Sequence, residues 1–177
     1  MKHPLEWIPG KNRKSLFFGF LIFTISILVL FQFLNQPLMT ASAPNGIISL
    51  QLAWTPENTQ AMLDSWNANA RLYGAFGLGF DYLFMPAYAL ALALGALLAA
   101  GRHPGWFSRI GTWVGWAALL AAVFDALENL LQFQQLFHGK VELAFIIGIV
   151  ATLNFTLILV GLLYSLIGWF WRKPRQS

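Results

Sequence analysis

The sequence predicts an all-α polytopic membrane protein: four transmembrane helices in an up-down bundle, with one extracytoplasmic amphipathic helix. Three observations predict it. The 177 residues are 58% hydrophobic and only 10% charged, whereas soluble domains carry about a quarter charged residues. Four apolar runs, Ser15–Leu34, Leu78–Ala100, Ile110–Phe133 and Leu143–Trp171, each reach the roughly 20 residues that cross a bilayer. The basic residues alternate between the segments joining those runs. Nine of the eleven fall in the N-terminal tail, the 101–109 loop and the C-terminal tail; only Arg71 and Lys140 lie elsewhere. This positive-inside asymmetry orients all four runs, with both termini cytoplasmic. It also accounts for the formal charge of +4 without nucleic acid.

The first run follows a basic tail, residues 1–14, and stops at Asn35-Gln36-Pro37, because proline cannot continue a helix. Ala41-Ser42-Ala43 resembles a signal-peptidase site. The run before it is longer than a signal peptide's apolar core, and Pro44 follows, so an uncleaved helix is expected. Residues 35–76 form the outer segment. Within it, Thr55-Pro56-Glu57 is a helix start: hydroxyl N-cap, proline at the first position, acid in the first turn. An amphipathic helix is expected over 56–73. Met62, Leu63, Trp66, Ala70 and Tyr73 form one face; Gln60, Asp64, Asn67 and Arg71 form the other. It is read as a surface helix, or as a lid carrying Trp66 and Arg71.

Gly74, Gly77 and Gly79 loosen the entry to the second run, and Pro86 should kink it. Gly101–Pro104 turns the chain, so runs two and three form a hairpin. Ala91, Gly95 and Ala99 are expected to face Ala118, Ala122 and Ala126, small residues that let membrane helices approach. His138-Gly139-Lys140 leads into the fourth run. The chain is read as one membrane domain, 1–177.

Polar residues inside the runs carry the functional signal. On the third run Asp125, Glu128, Asn129 and Gln132 fall at roughly 0°, −60°, +40° and −20° around the helix, one face. Asp81 and Tyr88 lie on the second run, Asn154 on the fourth, Thr24 on the first. Hairpin register predicts an outer layer of Asp81, Glu128, Asn129 and Gln132, and a deeper layer of Asp125, Asn154 and Thr24. No Lys or Arg shares their depth, and three such carboxyls cannot all stay ionised. Intramembrane acids are costly and mark functional positions by default.

Four readings fit this constellation: a hydrogen-bonded cross-link between helices; a pocket for a cation, amine or lipid headgroup; proton or cation passage; and a membrane enzyme using one acid as base or metal ligand. Binding or accessory function is the first expectation. A small enzyme acting on an outer-leaflet lipid, or a proton- or cation-coupled transporter working as an oligomer, are the alternatives. The expected partners are the bilayer, a lipid, amine or cation ligand, and a second copy or a larger membrane complex. No cofactor and no metal site is assigned. Cysteine is absent, which removes thiolate chemistry. His3, His103 and His138 lie in loops or tails, and His103 and His138 are read as solvated. Ser15, Ser26 and Ser165 have no histidine at their depth. Gly77-Leu78-Gly79-Phe80-Asp81 misses the GxGD signature of intramembrane aspartyl proteases by one residue, and no Tyr-Asp partner follows.

Asp81-Tyr82-Leu83-Phe84, Asp125-x-x-Glu128-Asn129 and Ser49-Leu50-x-Leu52-Ala53 before a Trp-containing helix together resemble a group of small, uncharacterised bacterial four-helix membrane proteins. The resemblance covers about residues 47–165. It implies a four-helix unit in a bacterial inner membrane, and no activity comes with it.

Overall fold

A computed structural model describes residues 1–171, all helix, turn and loop, with no strand among them. Four helices are long and apolar enough to cross a membrane, the make-up of a multi-pass membrane protein. They are α1 (Gly10–Asn35), α4 (Ala68–Ala100), α5 (Trp106–His138) and α6 (Ala144–Phe170). Two short helices, α2 (Ile47–Gln51) and α3 (Pro56–Ser65), lie between α1 and α4. The turn at 101–105 marks the hairpin end of the molecule, and α2 with α3 forms a cap at the other.

α4 is the central helix: it packs on α1, α5 and α6. Its small residues allow this, Ala89, Ala93, Ala96 and Ala99 being almost completely buried. The packing partners differ from the sequence expectation. A Cβ on Gly95 would lie 2.9 Å from Ser165 Oγ and 3.2 Å from Phe17, and one on Gly168 would lie 2.5 Å from Ala99 Cβ. The Gly95–Ala99 stripe therefore receives α6 and α1 as well as α5, whose Phe107 and Val114 share a cluster with Ala96 and Ala99. Ala89 and Ala93 share a cluster with Ala118 and Ala121 of α5. A 33-residue α4 is ~50 Å long, so it projects beyond the ~30 Å apolar core of a bilayer. It passes through Pro86 as one helix.

The outer helix expected over 56–73 is divided. α3 ends at Ser65, Trp66 is extended, and α4 begins at Ala68, ten residues before the apolar run. Two local interactions outweigh the continuous amphipathic pattern. Asn67 caps α4, its Oδ1 accepting from Ala70 N at 2.9 Å. The Arg71 guanidinium satisfies the end of α3, donating to Leu63 O at 2.7 Å and Trp66 O at 3.3 Å. At the start of α3, Thr55 Oγ1 accepts from Asn58 N at 3.2 Å.

The cap is fixed to the bundle on both sides. Asn35, at the end of α1, accepts from Ile47 N at 2.9 Å and donates to Asn45 O at 3.1 Å. Gly46 sits against that side chain with φ +59°, where a Cβ would overlap Asn35 and L residues are disfavoured. Trp54, itself at φ 63°, lays its ring over Gly148 of α6 and meets Phe145 edge-on at 6.2 Å.

Residues 1–9 are a docked segment within what the sequence read as a basic tail, residues 1–14. Leu5 and Ile8 join the core cluster of Ala89, Ala93, Ala118 and Ala121. Trp116 Nε1 donates to Lys2 O at 3.1 Å, and Arg13 donates to Ile8 O and Glu6 O, both at 2.8 Å. His3 fills the space beside Gly115 and is 6% exposed. Its Nδ1 accepts from Leu5 N at 3.1 Å. Burial lowers its pKa from 6.5 to about 4; Glu6 opposes the shift and Arg13 adds to it. Below pH ~6.5 the free ring takes a proton that the docked ring refuses. Docking should therefore be complete above that pH and weaken as pH falls toward 4. Trp116 emission, followed from pH 7.5 to 4, should shift in that window and stay flat in His3→Gln.

His103 is buried too, contrary to the solvated reading. Its Nε2 lies 3.1 Å from Gly168 O and its ring packs on Phe107 and Trp171.

Candidate functional site

α4 and α5 run past each other so that Asp81 meets Asn129 while Tyr88, two turns along α4, meets Asp125. Asn129 Nδ2 donates to Asp81 Oδ2 at 2.7 Å and to Leu78 O at 3.2 Å. The Tyr88 hydroxyl donates to Asp125 Oδ2 at 2.9 Å and lies 3.3 Å from Asn154 Oδ1 of α6. The Asp81 and Asp125 carboxyls line the same cavity, Asp81 held by Asn129 and Asp125 by Tyr88. Asp125, Asn129 and Asn154 are buried; Asp81 is half-buried.

A cavity of about 210 Å³ opens above this pair. Asp81, Asp125, Asn129 and Asn154 form its polar floor, while Leu28, Phe31, Phe84, Phe155 and Ile158 supply apolar walls. Ile47, Ile48 and Gln51 of α2 close it at the cap end. Its lateral boundary follows from helix packing. α1 and α6 meet near the hairpin end, where Phe17 and Phe18 lie against Trp169. Toward the cap they part, and the cavity lies between them. Leu28 is 43% and Phe155 38% exposed, so these walls continue onto the outer surface of the bundle.

Glu128 and Gln132 stand apart from the cavity. Both are completely buried, and Gln132 Nε2 donates to Glu128 Oε1 at 2.7 Å. Thr24 is buried with no hydrogen-bond partner among the described residues and does not line the cavity. The residues named for a lid are occupied elsewhere. Trp66 is buried with Leu38, Leu78 and Leu136, its indole donating to Leu38 O at 2.8 Å, and Arg71 caps α3. The segment over the cavity is α2.

Comparison with protein-family models, with curated proteins and with solved structures found no match.

Sequence reasoning missed Gln51 and Gln135. Gln135 is completely buried and lies seven residues after Glu128, the spacing that repeats a helix face. That signal was present, but Gln135 lies beyond the apolar run and so read as loop. Gln51 carried none, since α2 is too short to show a period. Among the described residues no three His, Cys, Asp or Glu side chains come together as a metal set. The arrangement can accept hydrogen bonds from, and neutralise, a donor-rich or cationic group whose apolar part lies between α1 and α6.

Proposed function

We propose that this protein binds an amphipathic ligand with an amine or cationic head, taken up sideways from the bilayer between α1 and α6. The carrying observation is the acid-floored cavity with apolar walls that run on to the outer surface of the bundle. Its ~210 Å³ is below the ~300 Å³ of ordinary small-molecule pockets. A headgroup fits, with the tail leaving through the gap. Among the described residues no Lys or Arg lines the cavity, so none of them competes with a ligand cation for the carboxyl pair. Decylamine should raise the melting temperature of the detergent-solubilised protein, and decanol should not. Equal shifts from both would reduce the site to an apolar groove.

The membrane arrangement belongs to the same reading. The four spans form an up-down bundle in a bacterial cytoplasmic membrane, termini inside and the α2–α3 cap outside. The charge distribution supports this: among described residues the cap end carries Arg71 and Lys140, against Lys2, Lys11, Arg13, Lys14, Arg102 and Arg109 elsewhere. The chain has no cysteine, so single ones report cleanly. Asn69→Cys and Lys140→Cys should react with an impermeant thiol reagent in intact cells, and Pro104→Cys only after permeabilisation. Labelling of Pro104→Cys in intact cells would overturn the topology.

Hydrolysis of an outer-leaflet lipid is the second reading, favoured by the paired carboxyls, since one protonated and one ionised acid make acid–base equipment. Release of headgroup or acyl chain from lipid vesicles containing the parent, and its loss in Asp81→Asn, would be required.

A further inference from the structure

We propose that Glu128, Gln132 and Gln135 are ligands of a second, closed site, one that takes a single small monovalent cation. The three residues sit at i, i+4 and i+7 of α5, one face on successive turns. Each is 0% exposed. They make one hydrogen bond among themselves, from Gln132 to Glu128. Among the described residues, Glu128 Oε2, Gln132 Oε1 and both polar atoms of Gln135 are buried without a partner. Buried polar groups are almost always satisfied, and each exception calls for a cause. Within a membrane bundle, where water is scarce, the cost of leaving them so is several kcal/mol per group.

The imbalance has a sign. These side chains present three orphaned oxygens against one orphaned amide nitrogen, Gln135 Nε2. On the residue after Glu128 in α5, Asn129 Oδ1 also lacks a partner among the described residues. Arg71, the α4 cation nearest this depth, is engaged by Leu63 O and Trp66 O, and no other Lys or Arg occurs in α4 or between Ile110 and Gly139. An excess of acceptor oxygens is what a hard cation satisfies. The set holds oxygen and no free sulfur or imidazole, which disfavours the softer transition metals. One carboxylate balances one positive charge; divalent ions usually draw on more. The site is closed because Leu136, next to Gln135, is buried under Leu50, Leu63 and Trp66 of the cap. None of Glu128, Gln132 and Gln135 lines the cavity at Asp81, so the inference does not rest on the amine-binding reading.

The test uses the full chain in an uncharged detergent. Its thermal unfolding is compared in sodium, potassium, lithium and choline chloride at equal ionic strength. One of the alkali ions should raise the melting temperature saturably, by about 3 °C at ten times its Kd, with no effect of choline. Glu128→Gln keeps the shape and removes the charge, and it should lose the ion dependence. Gln135→Leu keeps the bulk and removes both polar atoms; it should lose the dependence too, and it decides the matter if Glu128→Gln does not fold. Asp81→Asn should keep it. Identical melting in all four salts would overturn the proposal, leaving water or a protonated Glu128 as the partner. An ion dependence that survives in Gln135→Leu would overturn it as well.

Discussion

Gly111→Leu is expected to abolish a monodisperse folded protein in detergent, the largest stability effect of any single substitution argued from this fold. Gly111 lies where α4, α5 and α6 meet near the hairpin end. A Cβ placed there would fall against the Tyr164 hydroxyl, 2.7 Å from Ala100 Cβ and 3.0 Å from Tyr164 Cζ. The two neighbours cannot both yield. Tyr164 is held by a 2.8 Å hydrogen bond to Phe107 O and by stacking on Phe107 at 4.4 Å. Ala100 Cβ is fixed to the α4 backbone, so relief requires the helices to separate. Overpacking of a tight core costs about 1–3 kcal/mol and sometimes more. Here the displaced tyrosine adds the loss of a buried hydrogen bond, about 1 kcal/mol. Gly79→Leu is the control: nothing lies within 4 Å of its Cβ position, and leucine improves helix propensity. Size-exclusion profiles and melting temperatures should separate the two sharply. If Gly111→Leu melts with the parent, the three-helix contact at this position is wrong.

The spans were legible because crossing a bilayer needs a length of apolar residues that nothing else in a short chain imitates. The polar pairs were legible for a related reason. Asp81 opposite Asn129, and Asp125 level with Asn154, follow from counting residues outward from the two turns. What stayed hidden depended on interactions between segments distant in sequence. The end of α3 is set by Arg71 reaching back to Leu63 O, which no local pattern encodes. The docking of residues 1–9 depends on Gly115 leaving room for His3, more than a hundred residues away. The same basic residues that report orientation made that segment look like a tail. The cavity wall was hidden too, since Phe31 and Phe155 are ordinary span residues until α1 and α6 are seen to part. Asp125, by contrast, was prominent in the sequence from the outset.

Asp125→Asn should leave the fold intact and remove most of the response to amines. Asparagine has nearly the shape of aspartate, and its Oδ1 can still accept from the Tyr88 hydroxyl that donates to Asp125 at 2.9 Å. The bundle therefore keeps the cross-link between α4, α5 and α6. What disappears is one of the two carboxyls at the floor of the cavity, and with it the capacity of the pair to carry negative charge toward a ligand. A hydrogen bond to a charged partner contributes about 1.5–3 kcal/mol, so amine affinity should fall about 10- to 150-fold. The melting temperature without ligand should move little, and the decylamine-induced rise should shrink to the size seen with decanol. Asp81→Asn should behave alike, because either substitution breaks the pair. Tyr88→Phe differs: it deprives Asp125 and Asn154 of the hydroxyl between them, so it should lower the melting temperature while Asp81 and Asp125 remain to bind amine. A full decylamine shift retained in both aspartate variants would remove the carboxyl pair from any account of binding.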